Sequence, residues 1–228
     1  MRRSQINREI QIAVDLLEQR RFALPPFGFW TPERWQAVGS EAEEIRSRRL
    51  GWDVTDFGSG RFDEIGLTVF TIRNGRLDDA ENVKTYAEKV LIVKENQVTP
   101  FHFHFSKTED IINRGGGTLV IQLHNSDENE RLSDRPVTVS CDGVERIVPA
   151  GGVVKLTTGE SITLVPGLYH EFKGEPGSGT VLVGEVSSVN DDNIDNRFLD
   201  ELPRFPSIEE DDPPLYLLCN EYPPASDR

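Results

Sequence analysis

Apolar residues recur at helical spacing near the start of the chain. Ile6, Ile10, Ala13, Leu16 and Leu17 fall on one stripe of "MRRSQINREIQIAVDLLEQRR", with charged and amide residues around it. The pattern predicts an amphipathic helix. At Thr31-Pro32-Glu33 a hydroxyl N-cap precedes a proline at the first helical position, with Trp30 and Trp35 on either side. "SEAEEIRSRRLG" reads as a further helix closed by Gly51, and Trp52 follows. The first 50 residues are thus expected to be helical. "TDFGSGRFDEIG" is a glycine-rich loop without the strand–turn–helix context of a dinucleotide fingerprint.

From residue 67 the period changes. "LTVFTIRNG" is β-branched and aromatic and ends in an Asn-Gly turn signal. "TYAEKVLIVKENQ", "PFHFHF", "EDIIN", "GTLVIQLH", "RPVTVSC", "GVVKLTTG", "SITLVPG", "YHEFKG" and "GTVLVGEVSSV" follow, short and separated by turns. Short strands with no helix between them predict an antiparallel sandwich or barrel. After Val189 come "NDDNIDN", a proline-rich acidic stretch "PRFPSIEEDDPP", and an apolar cluster, Leu215 to Leu218, expected to dock. The organisation expected is one domain: a helical arm over residues 1–60, a barrel over 61–190, and a loop and tail over 191–228.

The candidate chemistry lies in "TPFHFHFSKTED", residues 99–110. In a strand, successive side chains point to opposite faces, so His102 and His104 share one face and Phe101, Phe103 and Phe105 the other. The phenylalanine face is expected to pack into apolar core. The two imidazoles would stand roughly 6–7 Å apart at Cα, a spacing that suits two ligands on one ion. If Ser106-Lys107-Thr108 turns the chain and "EDIIN" returns as the second strand of a hairpin, Glu109 comes back beside the pair. His170, after the Pro-Gly turn of "SITLVPGLYHEF", supplies a distant fourth ligand. Three imidazoles and a carboxylate suit Mn, Fe, Co, Ni or Zn better than Ca or Mg. His124 reads as a solvated strand end. "DDNID" lacks the glycine and glutamate of a calcium loop, and "RGGG" at 114–117 reads as a tight turn with no helix after it to cradle a phosphate.

Composition narrows the partners. The chain has 228 residues and a formal charge of −14, and an acidic surface disfavours nucleic acid and anionic membrane. No apolar run is long enough to span a bilayer, and charges interrupt the N-terminal stripe that a secretory signal would need. Two cysteines, Cys141 and Cys219, are too few for a disulfide framework, so a reduced cytoplasmic protein is expected.

"PFHFHFSKTEDIINRGGG" resembles the first cupin motif, with His102, His104, Glu109 and Gly116 in place. "GESITLVPGLYH" resembles the second, with Gly159, Gly167 and His170. The chain departs from the pattern at Asn96, where the first motif has its leading glycine, at Pro166, shifted by one, and after His170, where the usual asparagine is missing. "LGWDVTDFGSG", "YAEK", "HFHFSKTEDIINRGGG" and "GEVSSVNDDNIDNRF" together resemble the D-lyxose ketol-isomerases of the cupin superfamily, nearly end to end. The resemblance implies a jelly-roll barrel, a manganese site of three histidines and a glutamate, action on D-lyxose and D-mannose, and a homodimer. The helical arm and apolar tail point the same way, since such arms often cover sheet edges or exchange between subunits.

Aldose–ketose isomerisation moves a proton between C1 and C2 of an open-chain sugar. A metal that binds both oxygens stabilises the enediolate, and a base removes the C2 proton. Lys107, in the turn between His104 and Glu109, and Glu185, on the strand parity of Val181 and Val183, are the catalytic candidates. A carboxylate on an apolar face needs a partner or a job. Lys89, Asp192 and Arg197 are candidates for holding sugar hydroxyls. Two other readings stay open, an iron-dependent cupin dioxygenase and a non-catalytic sugar-binding cupin, because ligand identity alone does not fix the reaction.

Overall fold

The structure is a computed structural model that describes residues 1–76, 84–189, 191 and 194–226. Among these residues, α1 (Arg3–Gln19), α2 (Pro32–Ala37) and α3 (Glu43–Ser47) precede thirteen strands. The strands are β1 (Gly51–Thr55), β2 (Leu67–Arg73), β3 (Tyr86–Val93), β4 (Thr99–His104), β5 (Glu109–Gly116), β6 (Leu119–Asn125), β7 (Val137–Cys141), β8 (Val144–Val148), β9 (Val153–Leu156), β10 (Ser161–Leu164), β11 (Leu168–Gly174), β12 (Val181–Ser188) and β13 (Asn196–Phe198). They form an eight-stranded sheet, ordered β1-β2-β3-β12-β5-β10-β7-β8, and a five-stranded sheet, β13-β4-β11-β6-β9.

Alternation decides which side chains meet between the sheets. Leu67, Val69, Leu91, Ile111, Val181 and Val183 of the large sheet pack against Leu119, Ile121, Leu123, Leu168 and Phe172 of the small one. The opposite parity of the same strands, Phe70, Ile72, Val90, Ile92 and Leu182, faces outward and is covered by Ile6, Ile10, Ala13 and Leu17 of α1. Strands buried on both faces lose the clean apolar–polar alternation of a half-exposed sheet. Burying the three large α1 side chains contributes on the order of 5–9 kcal/mol before entropy. Tertiary contact, rather than intrinsic propensity, therefore holds this helix.

Thr31 caps α2 by accepting from the Arg34 amide at 3.3 Å. The run expected to form the next helix divides into a 3₁₀ turn at Ser40–Ala42 and the short α3. β1, within residues 1–60, pairs with β2. "RGGG" is not a tight turn: β5 runs on through Gly116, and the positive φ values of Gly115 and Gly116 accommodate a bulge against β12. The tail docks back on its own chain. Buried Arg3 pairs with Glu210 and Glu221. Tyr222 stacks on Trp35 at 3.9 Å and donates to the Leu50 carbonyl.

Candidate active site

β4 sends His102 and His104 between the sheets. The phenylalanine face is therefore the outer one, contrary to the expectation from sequence. Phe103 is buried there against Tyr169, but Phe101 is half-buried and Phe105 is 49% exposed. The imidazoles take the inward face because β4 pairs with β11 in a register that sets His170 directly opposite His102. Glu109 opens β5 in the other sheet, so Ser106–Thr108 is a crossover between sheets and not a hairpin turn. Asp195 fixes that crossover by accepting from the Ser106 amide at 2.8 Å, the Ser106 hydroxyl at 2.6 Å and the Lys107 amide at 3.1 Å.

The imidazole nitrogens of His102, His104 and His170 available as ligands lie within 4.8 Å of one another, and all three residues are buried. Nδ1 of His102 is 2.8 Å from the Pro100 carbonyl, and Nδ1 of His170 is 3.0 Å from the Leu168 carbonyl. A carbonyl only accepts, so each Nδ1 carries a proton, and in the neutral ring each Nε2 presents a lone pair. Glu109 Oε1 lies 3.2 Å from Nε2 of His170 and 3.3 Å from Nε2 of His104. In the neutral ring the His170 lone pair faces a carboxylate oxygen with no proton between them. That approach is unfavourable unless a cation sits there, and the donor set of three imidazoles and one carboxylate fits a transition-metal ion. Burial and the neighbouring imidazoles push the His102 pKa well below its ordinary value. Burial and Lys107 lower that of His104. Burial opposes the Glu109 charge, but the Lys107 ammonium and His104 hold its carboxyl well below the usual range. The lowered pKa values favour neutral imidazoles at His102 and His104 and an ionised Glu109, the state a metal needs of its ligands.

A line of buried charge continues from the cluster. Lys107 Nζ lies 2.7 Å from Glu109 Oε2 and 2.9 Å from Glu185 Oε1. Lys89 faces Glu185 across the β3–β12 register, with Nζ at 3.3 Å from the same oxygen. Glu109 therefore offers one oxygen to the imidazoles and the other to Lys107. A cavity of about 50 Å³ joins these groups and is also lined by Phe57, Leu67, Val69, Leu91 and Phe198.

Not every sequence candidate reaches this cavity. Arg197 points away, because Asn196 and Phe198 sit opposite His104 and His102 and take the inward parity of β13. Arg197 pairs instead with Glu130 on the outer face at 2.9 Å. Asp192 lies outside the described residues. His124 is half-buried on the outer face beside Phe101 and the Ser133 carbonyl, away from the cluster. Sequence reasoning missed Asp195, Asn196 and Arg204. Arg204 lines the cavity from the tail and is held by Asp53 at 2.6 Å. It sits in coil, where no periodicity signals an inward side chain. Asp195 had one signal, its place in an acidic run that ends against β4.

Two facing antiparallel sheets with a histidine–carboxylate cluster between them define a cupin-like barrel. Solved structures of L-ribose isomerases share this fold. That of Cellulomonas parahominis superposes with a TM-score of 0.62 at 16% identity, covering 92% of this chain and 98% of that one. That of Geodermatophilus obscurus gives 0.62 at 14% identity over the same shares. The sequence model of the D-lyxose isomerase family matches residues 1–222. The D-lyxose/D-mannose isomerase of Escherichia coli O157:H7 is 50% identical over 223 residues, 97% of this chain and 98% of that protein. The protein of the same description from Serratia proteamaculans is 49% identical over the same shares. The chain belongs to the D-lyxose isomerase family and is a sugar isomerase.

Proposed function

We propose that the protein is a metal-dependent aldose–ketose isomerase that interconverts D-lyxose with D-xylulose and D-mannose with D-fructose. The observation that carries this reading is the continuous line from the imidazole cluster through Glu109 and Lys107 to Glu185. It sets a carboxylate base beside the place where a sugar's reacting carbons would be held. His102, His104, Glu109 and His170 would hold the ion, manganese in this proposal, with Co, Fe, Ni or Zn as substitutes. When bound, the ion supplies Lewis-acid polarisation of the sugar carbonyl and the adjacent hydroxyl. Glu185 takes the C2 proton and returns it at C1. Lys107 balances the two carboxylates and donates toward the oxygen where negative charge develops. Lys89 orients Glu185 and reaches a sugar hydroxyl. A wall of two lysines and two glutamates suits a polyol and ill suits the apolar substrate of an iron oxygenase, so the isomerase is favoured.

The proposal places the enzyme in the cytoplasm, as a homodimer. Among the described residues, Cys141 and Cys219 are buried and neither is in a disulfide, which suits a reducing compartment. Among the described residues, no helix is long and apolar enough to cross a membrane. Phe105 and Val165, 49% and 51% exposed, share a rim through the Gly167–His104 backbone bond and are apolar surface that a dimer would cover. The test is a sugar panel. Metal-stripped protein reloaded with manganese is followed by NMR on lyxose, mannose, xylulose and fructose. Conversion within both pairs is expected. No conversion with any divalent metal overturns the reading, and an oxygen-dependent product would restore the oxygenase.

A further inference from the structure

The lining of the cavity contains a backbone anomaly at Phe57. Phe57 adopts φ +51°, the left-handed region that a bulky side chain rarely enters. Such a conformation persists only where its surroundings enforce it, and it gathers at functional sites. Here the enforcement is visible. The Phe57 amide donates to Thr55 Oγ1 at 3.0 Å, and Thr55 Oγ1 in turn donates to the Arg204 carbonyl at 2.9 Å. Asp56 accepts from the Gly58 amide at 3.0 Å and the Gly60 amide at 3.1 Å. Gly58, at φ +74°, lies so close under Pro203 that a Cβ would collide with the proline ring. The tail therefore clamps the loop from above while Asp56 ties it from within.

This clamping turns the Phe57 ring into the cavity. The ring is 2% exposed and lies edge-on to Phe198 at 5.7 Å, and Phe198 lies 5.4 Å from the His102 imidazole. An open-chain sugar whose first two carbons were held at the imidazole cluster, beside Glu185, would have its remaining carbons in the rest of this cavity, whose lining includes both rings. The rings offer no hydrogen bond. A further hydroxymethyl group pressed against them is crowded and gains no hydrogen bond from either ring.

We propose that Phe57, backed by Phe198, is the chain-length determinant of the site, a wall that disfavours six-carbon sugars relative to five-carbon ones. The inference rests on the isomerase reading for its substrate class. It concerns a specificity residue that neither binds the metal nor moves a proton.

The test compares wild type with Phe57→Ala and Phe57→Leu. Shortening the ring is expected to raise the ratio of kcat/KM for D-mannose over D-lyxose about tenfold or more for Ala, with Leu between, as removal of a steric wall at a terminal carbon does. Metal per chain should be unchanged. Binding is measured in parallel by calorimetry with the pentitol and hexitol obtained by reducing the two sugars, which cannot be isomerised. Their Kd ratio should move the same way. Equal losses against both sugars, with an unchanged alditol ratio, overturn the proposal and leave Phe57 as core packing. If Phe57→Ala does not fold, Phe57→Leu decides on the same criteria. If wild type converts neither sugar, the isomerase reading has failed, and the alditol Kd ratio alone judges the wall.

Discussion

Replacing Glu185 by glutamine removes a charge and almost nothing else. The amide keeps the volume, and its oxygen can still accept from Lys107 and Lys89, which lie 2.9 and 3.3 Å from Glu185 Oε1. Two consequences follow from a site that is 5% exposed. First, a buried ion-pair network loses one carboxylate while the lysines remain, a change worth about 3 kcal/mol, between a lost charge-assisted hydrogen bond and a fully broken pair. In a chain this long each kcal/mol moves Tm by roughly 2–4 °C, so Tm should fall roughly 6–12 °C. Second, the amide cannot take a proton, and loss of a general base costs about 10²–10⁴-fold in kcat. The metal should stay, because the four ligand side chains are untouched. The assay is kcat and KM for lyxose with manganese-loaded variant, with metal per chain measured alongside. A kcat near wild type with a raised KM would mean that Glu185 anchors a hydroxyl equally in ground and transition states, and the base assignment would be refuted.

Changing His102, His104, Glu109 or His170 to alanine should lower bound metal and turnover together, whereas changing His124 should do neither; elemental analysis per chain checks both. Acid should destabilise the metal-stripped protein. The folded pKa values of His102 and His104 lie below the unfolded imidazole value of about 6.5, so the unfolded chain binds more protons as pH falls below that value and stability drops. Glu109, also depressed when folded, loses its contribution as pH falls further, through its folded value. Urea midpoints that stay constant from pH 7.5 down to about pH 5 would contradict this. Arg3→Met removes a cation 2% exposed that pairs with Glu221 and the more exposed Glu210, and should cost about 1.5–3 kcal/mol, with early proteolysis inside the tail. A variant as protease-resistant as wild type would show that the tail is held by its apolar contacts alone.

Much of the architecture was legible because strand parity is local. Alternation in "PFHFHF" put two imidazoles on one face, and the parity of Val181 and Val183 carried Glu185 inward. Parity does not say which face is interior, since that depends on which partner covers the strand. Sequence alone therefore puts the phenylalanine face toward the core, although the imidazole face is the one between the sheets. Nor does parity say which sheet a strand joins, so the crossover at Ser106–Thr108 read as a hairpin. Arg197 shows the same limit. Its strand of three residues gives too short a pattern to phase, and the pairing with β4 decides its direction. Phe57, Asp195 and Arg204 lie in loops and coil, where side-chain direction is set by hydrogen bonds to distant segments.

The central claim is that a metal held by His102, His104, Glu109 and His170 lets Glu185 move a sugar proton. The most direct measurement follows D-lyxose by NMR in deuterated water with the same protein in two states, stripped by chelator and reloaded with manganese. The account predicts no conversion in the stripped state, and D-xylulose carrying deuterium at C1 in the reloaded one. Equal rates in the two states, or conversion with no exchange into C1 even at high catalytic turnover, would contradict it.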